Sequence, residues 1–230
     1  MGWFAEALIS AVGLIASLDG ELYSIIGLSL WVSLSAVALS GLIGVPTGVA
    51  LGMSRFRGKG LVVGSFNTLM GLPPVVAGLI VFLLLSRQGI FGEAQLLFTP
   101  TAMIIAQTVL VFPIIVALSH ATVVGLEPLL PDAARTLGAN RWQVALLIVH
   151  EARYGIMAAL IAGVGRAMAE VGAVLMVGGN IKGATRTMTT TIAMQTSMGD
   201  YNLALALGMV LLLLAAGVNV ILYRIQRGRT

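Results

Sequence analysis

Long apolar stretches alternate with short polar connections along this chain. Five of them stand out, at residues 25–53, 61–85, 99–121, 154–177 and 203–223. Each is longer than the roughly 20 residues that a helix needs to cross a hydrocarbon core about 30 Å thick. Backbone polar groups cannot stay unpaired in lipid, and the stretches are too long for barrel strands. We therefore predict five spanning helices in a single membrane domain (residues 1–230), forming a bundle over residues 25–223.

Small residues and prolines mark where these helices pack and bend. The first stretch carries a stripe of small residues three or four positions apart: Ser29, Ser33, Ala36, Ser40, Gly44, Gly48 and Gly52. Such a stripe lets another helix approach closely, either within the chain or in a second copy. Prolines at 46, 73, 74 and 113 predict bends, which are tolerated in a membrane where neighbouring protein supports them.

The N-terminal segment, residues 1–22, is harder to place. Its apolar residues recur at helical spacing: Trp3, Phe4, Leu8, Val12 and Ile15. The segment is short for a span and ends in Asp19 and Glu21. We predict a helix lying on the outer membrane surface. The alternative is a sixth span, which would move the N-terminus to the inside.

Composition and charge agree with a membrane protein. Hydrophobic residues make up 58% of the chain and charged residues 10%, whereas a soluble domain carries about 25% charged residues. Cysteine is absent and the two histidines have no metal-ligand spacing, which argues against disulfides and metal sites. The N-terminus lacks the pattern of a cleaved signal peptide. Most basic residues fall at the ends of spans, so the net charge of +4 does not indicate nucleic-acid binding.

The distribution of Lys and Arg predicts the orientation. One side holds nine of them: Arg55, Arg57, Lys59, Arg135, Arg141, Arg153, Arg224, Arg227 and Arg229. The other side holds three: Arg87, Lys182 and Arg186. Because positive residues accumulate on the cytoplasmic side, we expect the N-terminus outside and the C-terminus in the cytoplasm.

A polar island separates the third and fourth spans, within a connection at residues 125–150. Pro131 and Asp132 suit the first turn of a helix, because proline is pre-organised there and a carboxylate complements the helix dipole. Ala133 and Ala134 favour helix and lack bulk, and Gly138 is placed to end the helix. The pattern predicts a short helix along the membrane face that a partner can approach closely.

This island resembles the EAA loop of ABC-importer permeases, in which an acidic residue and two alanines are followed three residues later by glycine. The resemblance implies contact with a separate ATPase through nine residues: Asp132, Ala133, Ala134, Thr136, Leu137, Gly138, Ala139, Arg141 and Trp142. The family usually has Glu where Asp132 stands, a change that keeps the charge. The Leu-Pro that normally follows Ile148 is replaced by His150-Glu151.

Three further segments resemble the molybdate and tungstate permeases of this family. They are a Leu-Pro-Pro segment at residues 72–78, an Arg-Ala-x-x-Glu-Val-Gly-Ala segment at 166–173, and a Gly-Asn-Ile-containing segment at 178–187. With the polar island, these cover the chain from about residue 25 to its end. The details are closest to the tungstate-specific permeases.

Two charged residues, Arg166 and Glu170, stand four positions apart near the middle of the fourth span. Each would cost about 2.5–3.5 kcal/mol at the bilayer centre, so exposure to lipid is excluded. We expect them to form an ion pair that holds the bundle together. They are also candidates for the translocation pathway or its gate, as are Pro73 and Pro74 at the predicted bend.

The predicted outer loop, residues 178–202, carries five candidate residues at the mouth of a pathway: Asn180, Lys182, Thr185, Arg186 and Thr187. Cations and hydroxyl groups are suitable partners for a tetrahedral oxyanion. The preferred alternative is a solvated loop that docks a binding protein, because such importers usually leave recognition to that protein.

The family resemblance implies an all-α fold, the type I ABC-importer transmembrane domain, in a prokaryotic cytoplasmic membrane. It implies a homodimer with two ATPase subunits, which hold the ATP and Mg, and an extracytoplasmic oxyanion-binding protein. No phosphate-binding loop is present in the sequence, so we expect no enzymatic activity and no bound cofactor. The expected substrate is tungstate, then molybdate, then sulfate.

Two hypotheses of other classes compete. His150-Glu151 resembles half of a zinc-protease motif, but Tyr154 stands where the second histidine would be, which argues against an intramembrane enzyme. A secondary transporter or channel would suit bent helices and a buried charge pair. A carrier of that kind has no reason to present the polar island at residues 131–142.

Overall fold

The computed structural model describes residues 9, 12–13, 20–126 and 129–227. The predicted N-terminal surface helix, and the alternative sixth span, lie almost entirely outside the described residues. Within the described ranges the chain forms ten α-helices and a single 3-10 turn at Gly92–Ala94. The helices are α1 Gly20–Met53, α2 Lys59–Met70, α3 Pro74–Leu85, α4 Pro100–Val124, α5 Leu129–Thr136, α6 Arg141–Glu151, α7 Arg153–Met168, α8 Gly172–Gly178, α9 Met188–Ser197 and α10 Tyr201–Arg227.

Three of the described helices, α1, α4 and α10, are each long and apolar enough to cross a membrane. Two bent pairs, α2 with α3 and α6 with α7, add up to two more spans if each pair is counted as one. The predicted stretches at 25–53, 99–121 and 203–223 fall within α1, α4 and α10, except that Thr99 precedes α4. The stretch at 61–85 is split at residues 71–73, where Pro73 is extended and Pro74 opens α3.

The predicted fourth span, residues 154–177, is not one helix. Helix α7 ends at Met168, and α8 begins at Gly172 after a three-residue break. The Glu170 side chain accepts a hydrogen bond from the Ala173 N–H (3.0 Å), which caps α8 instead of letting the helix continue. A hydropathy pattern misses this break because the residues on both sides of it are apolar.

The predicted outer loop at residues 178–202 also needs correction, because it contains helix α9. Thr187 and Thr190 form a reciprocal capping box: the Thr187 side chain accepts from the Thr190 N–H, and the Thr190 side chain accepts from the Thr187 N–H. Four residues of this helix are buried: Met188, Thr189, Thr190 and Thr191. The threonines at the start of this helix are therefore packed inside the protein and are not part of a solvated loop.

The chain divides into two compact units. Unit 1 comprises Met1–Ala36, Pro73–Gln107 and Gly165–Thr230. In it, α3 packs against α8 and α9 packs against α10. One of its buried clusters consists of Ile25, Met188, Ala206 and Val210. A Cβ added at Gly78 in α3 would lie 2.7 Å from the Ala173 Cα of α8, so glycine is what allows this close contact.

Unit 2 comprises Val37–Leu72 and Thr108–Val164. The part of the small-residue stripe that lies in unit 2 packs against other helices of the same chain. The sequence had left open whether this stripe packs within the chain or against a second copy. A Cβ at Gly48 would lie 2.6 Å from the Val116 O of α4, and one at Gly52 would lie 2.5 Å from Val123 Cγ1. A hydrophobic cluster of unit 2 contains six buried residues: Val49, Val123, Val144, Ile148, Ala152 and Ile156.

Candidate functional site: a capped polar loop and a buried charge pair

Helix α5 ends at the glycine that the sequence predicted. Gly138 has φ +87°, a left-handed conformation that favours glycine. Its N–H bonds to the Arg135 O (3.0 Å), and the Ala139 N–H bonds to the Ala134 O (3.0 Å). These two bonds form a Schellman motif, which pairs carbonyls that the end of a helix leaves free. The chain therefore leaves α5 in a defined direction.

Helix α6 begins with a capping box formed by Asn140 and Gln143. The Asn140 side chain accepts a hydrogen bond from the Gln143 N–H (2.9 Å), and the Gln143 side chain accepts one from the Asn140 N–H (2.8 Å). This capping box was visible in the sequence as a polar cap with Gln three residues later. Only three residues, Leu137 to Ala139, separate α5 from the cap of α6, so the loop is closely tied at both ends.

The two faces of this loop differ. Ala134 and Ala139 are partly buried and pack against the unit 2 cluster that includes Val144 and Ile148. Leu137 is 89% exposed and Trp142 is 72% exposed. The remaining predicted contact residues are exposed as well: Asp132, Ala133, Thr136, Gly138 and Arg141. We call the nine residues predicted to contact the ATPase the loop surface.

The loop surface has the character of a protein-binding site. Leu137 and Trp142 are exposed large apolar side chains surrounded by polar and charged residues, an arrangement typical of protein-interaction surfaces. Asp132 pairs with Arg135 at 3.3 Å, and both side chains are largely exposed. The expectation that both alanines leave room for a partner is met only by Ala133, because Ala134 turns towards the chain's own core.

The predicted ion pair between Arg166 and Glu170 is present. Arg166 Nη1 lies 2.9 Å from Glu170 Oε2, with the Glu170 side chain 2% exposed and the Arg166 side chain 29% exposed. The pair joins the last turn of α7 to the break before α8, where the sequence had placed it within one helix. The carboxylate is satisfied by Arg166 and by the Ala173 N–H together.

Gln107 in α4 supports this break, a role that was not predicted from the sequence. Its Nε2 donates to the Ala167 O (3.1 Å), a carbonyl in the last turn of α7. Thr189 donates its hydroxyl to the Glu170 O (2.8 Å). The Ala167 O also accepts from the Glu170 N–H (3.2 Å), so Gln107 adds a second donor there, whereas the Thr189 hydroxyl pairs a carbonyl at the break itself. Gln107 could have been recognised from the sequence, because a polar amide side chain inside an apolar membrane stretch needs a hydrogen-bond partner.

A small cavity adjoins the charge pair. Its volume is about 10 Å³, room for about one water molecule. The Gln107 Oε1 atom is buried and has no hydrogen-bond partner within the described part of the chain. The polar residues that line the cavity are Ser29, Ser33, Gln107, Glu170, Thr187 and Thr189.

Pro73 and Pro74 begin the helix that packs beside the break. Pro73 is extended (φ −61°, ψ 126°) and Pro74 is the first residue of α3. A Cβ at Gly172 would lie 2.9 Å from Val75 Cγ2, one residue after Pro74. The proline segment and the start of α8 are therefore close neighbours. The structure brings these prolines, Arg166 and Glu170 together in unit 1, whereas the loop surface belongs to unit 2.

The threonines proposed for an outer mouth are engaged within the segment itself. Thr185 is fully buried; its hydroxyl donates to the Gly178 O and accepts from the Ile181 N–H. Thr187 is 4% exposed and caps α9. Asn180 accepts from the Thr190 hydroxyl (2.9 Å). Their placement favours a structural role for Thr185 and Thr187 over a role in presenting hydroxyls to an anion.

The two cations of this segment share a carboxylate from α1. Lys182 Nζ lies 2.7 Å from Glu21 Oε2, and Arg186 Nη1 lies 3.6 Å from Glu21 Oε1. Lys182 is 67% exposed and Arg186 is 19% exposed. Glu21 stands far from them in sequence, so spacing could not identify it as their partner. Two cations facing one carboxylate leave an excess of one positive charge.

Comparison with known proteins identifies the family. Residues 44–230 match the family described as "Binding-protein-dependent transport system inner membrane component". The chain is 43% identical over 226 residues to the tungstate uptake system permease protein TupB of Peptoclostridium acidaminophilum, covering 98% of this chain and 99% of that protein. It is 47% identical over 205 residues to a probable anion ABC transporter permease protein of Haloferax volcanii, covering 87% and 88%.

A solved structure has the same fold. A chain from the inward-facing MetNI methionine ABC transporter aligns with a TM-score of 0.67 and 19% identity, covering 93% of this chain and all of that one. This likeness confirms the all-α fold of a type I ABC-importer permease that the resemblance implied. Because the family match covers most of the chain, the protein belongs to the binding-protein-dependent transport system inner membrane components.

Proposed function

We propose that this protein is the pore-forming permease subunit of an ATP-driven tungstate importer. The observation that carries the proposal is its 43% identity, over nearly the whole of both chains, to a protein named as a tungstate uptake permease. Molybdate, a tetrahedral anion of the same charge, is the second candidate, and sulfate is the third. ATP and Mg belong to the partner ATPase, so this chain catalyses no reaction itself.

The loop surface is proposed to receive the force of ATP hydrolysis. Leu137 and Trp142 are the exposed anchors for a pocket on the ATPase. The Schellman motif and the Asn140 capping box tie α5 to α6, and Ala134 and Ala139 pack on the unit 2 cluster. A displacement of α5 is therefore passed to α6 and its buried residues. ATP binding would draw two such loops together and open the pore outward, and hydrolysis would reset it.

The break between α7 and α8 is proposed as part of the translocation pathway. Arg166 is the more exposed member of its ion pair, so its guanidinium has donors left over for a passing oxyanion. Glu170 holds the arginine side chain in place and limits the net charge. An arginine without this partner would hold a dianion too tightly to release it, whereas Glu170 alone would repel it.

The assembly is proposed to contain two copies of this chain, two ATPase subunits and an extracytoplasmic oxyanion-binding protein. The chain is a multi-pass membrane protein of an ABC transporter. The excess of Lys and Arg beside residues 53–59 and 131–153 supports placing those connections, and the C-terminus, in the cytoplasm. The segment at residues 178–202 would then face outward and dock the binding protein.

Reconstitution tests this proposal. The permease, its ATPase and its binding protein are placed in proteoliposomes, and tungstate uptake and ATP hydrolysis are measured together. Gly138→Asp should lower the uptake per ATP hydrolysed, because a charge is introduced at the loop surface while Asp tolerates the left-handed conformation.

Gly58→Asp is the matched control. Gly58 also has a positive φ, +89°, and a Cβ at either glycine has open space around it. The control should therefore suffer the same backbone strain but keep the wild-type uptake per ATP. Normal uptake per ATP by Gly138→Asp would refute the coupling role of the loop.

A further inference from the structure

An open groove runs along unit 2 between the C-terminal half of α1 and helix α6. Its volume is about 1070 Å³, far larger than the cavity beside the charge pair. The α1 side is lined by Val45, Pro46, Val49, Ala50, Met53, Ser54 and Arg55, and the other side by Arg135, Arg141, Trp142, Val144, Ala145, Leu146 and Val149.

The groove is apolar along its length and cationic at the ends of its helices. From Val45 to Met53 the α1 wall rises about 12 Å, close to the thickness of one leaflet of a hydrocarbon core about 30 Å thick. Arg55 follows two residues after α1 ends, and Arg141 is the first residue of α6. Each wall therefore has an arginine at one end and apolar side chains beside it. A phospholipid has a matching arrangement, because its phosphate can pair with the arginine while its acyl chain contacts the apolar side chains.

The charges of the groove have one sign. Among the described residues, Arg55, Arg135 and Arg141 line it, and no carboxylate does. Arg135 lies 3.3 Å from Asp132. Within the described residues, Arg55 and Arg141 have no carboxylate within ion-pair distance. Two exposed guanidinium groups, with no counterion in the described part of the chain, are therefore held beside an apolar channel.

We propose that this groove binds an anionic phospholipid, with the phosphate between Arg55 and Arg141 and an acyl chain along Val45, Val49 and Leu146. Basic clusters at the membrane boundary select anionic headgroups, and guanidinium groups match phosphate oxygens. Leu146 is 53% exposed, so apolar surface is available to the chain. Trp142 lines the same groove, so its indole ring reports on what occupies it.

The consequence goes beyond transport itself. The lipid would occupy the space between α1 and the helix that follows the loop surface, so it would stiffen the element that ATP hydrolysis has to move. Membrane composition would then influence coupling. Arg141 and Trp142 also belong to the loop surface, so the lipid site is tested in the absence of the ATPase and of the transported anion.

Quenching of Trp142 fluorescence tests the site directly. Trp3 and Trp31 are replaced by Phe, and the full-length protein is placed in phosphatidylcholine bilayers containing a small fraction of brominated phosphatidylglycerol or brominated phosphatidylcholine. The proposal predicts stronger quenching by the brominated phosphatidylglycerol. Raising the salt concentration should weaken this preference, because screening reduces the attraction between exposed charges.

Two arginine variants complete the experiment. Each basic residue near an anionic headgroup strengthens binding by about fivefold, so Arg55→Gln with Arg141→Gln should weaken the preference for phosphatidylglycerol by about 25-fold. Arg57→Gln removes an exposed arginine that does not line the groove, and it should leave the preference close to that of the parent protein.

Three results would overturn the proposal. Equal quenching by the two lipids would show that the groove does not select an anionic headgroup. An equal effect of Arg57→Gln and the double variant would show that only the general surface charge matters. No quenching by either lipid would show that protein covers the groove, either a second copy of this chain or another part of it.

Discussion

Replacing Arg166 with Gln should destabilise the protein more than replacing Glu170 with Gln, although both changes break the same ion pair. The difference arises from burial. Glu170 is 2% exposed, so without Arg166 its carboxylate stays buried with the Ala173 N–H as its remaining side-chain partner. Removing one member of a buried pair typically costs about 3–5 kcal/mol. We expect Arg166→Gln to lower the free energy of unfolding by about 3 kcal/mol, at the lower end of that range because Arg166 is partly exposed.

Glu170→Gln should lower the free energy of unfolding by less than Arg166→Gln does. After Glu170→Gln, the amide oxygen can still accept from the Ala173 N–H, and Arg166, at 29% exposure, can turn outward. The expected loss is about 1–2 kcal/mol, close to that of a charged hydrogen bond. The double variant should lose less than the sum of the two single changes, because no unpaired charge remains.

The exposed pair of Asp132 and Arg135 provides the matched control. It is also a short-range helical pair, with side chains 70% and 57% exposed. Asp132→Asn should cost less than about 1 kcal/mol, since exposed ion pairs contribute little. The free energies are measured by titrating the detergent-solubilised protein with SDS and following helix content by circular dichroism. Equal losses in Arg166→Gln and Glu170→Gln, or a loss as large in Asp132→Asn, would refute the reasoning from burial.

Three further changes test the packing and capping. Gly78→Ala places a Cβ 2.7 Å from the Ala173 Cα and should cost about 1–3 kcal/mol by overpacking, while Gly27→Ala, with nothing within 4 Å, should be neutral or slightly stabilising in the same SDS titration. Asn140→Ala removes the α6 capping box and should cost about 1 kcal/mol; unchanged stability would contradict its role. Gln107→Leu removes one of the two donors to the Ala167 O and should cost about 0.5–1.5 kcal/mol, whereas Gln107→Asn, one methylene shorter, should fail to rescue it.

Local signals in the sequence were read correctly where neighbouring residues determine the structure. The end of α5 at Gly138 follows from the need for a left-handed residue there, and the pairing of Arg166 with Glu170 follows from their spacing of four. The start of α6 could have been predicted as well, because Asn140 and Gln143 are a local capping pair. These features need no knowledge of the rest of the fold.

Features that depend on distant parts of the chain were missed. The break at residues 169–171 is stabilised by Gln107 of α4 and by Thr189 of α9, neither of which is near it in sequence. The same holds for Glu21, which forms ion pairs with Lys182 and Arg186. Apolar composition shows that a segment can enter the membrane, but it does not show where tertiary hydrogen bonds replace those of the helix.

The apolar groove could not be predicted either. Arg55 and Arg141 counted in the sequence only as markers of the cytoplasmic side. The structure adds that both arginines line the same groove in unit 2, next to α1 and in α6 respectively. Their lack of carboxylate partners among the described residues is a property of the fold, since acidic residues such as Asp132 and Glu151 lie nearby in sequence.

Elemental analysis of cells tests the central claim most directly. Cells lacking this chain are complemented with the wild-type protein or with Gly138→Asp and are grown with nanomolar tungstate, molybdate or sulfate, one at a time. The account predicts that only the wild-type protein restores accumulation, and that it does so for tungstate first. Equal accumulation of all three anions in every strain would contradict it, since neither import by this chain nor coupling through its loop would then be needed.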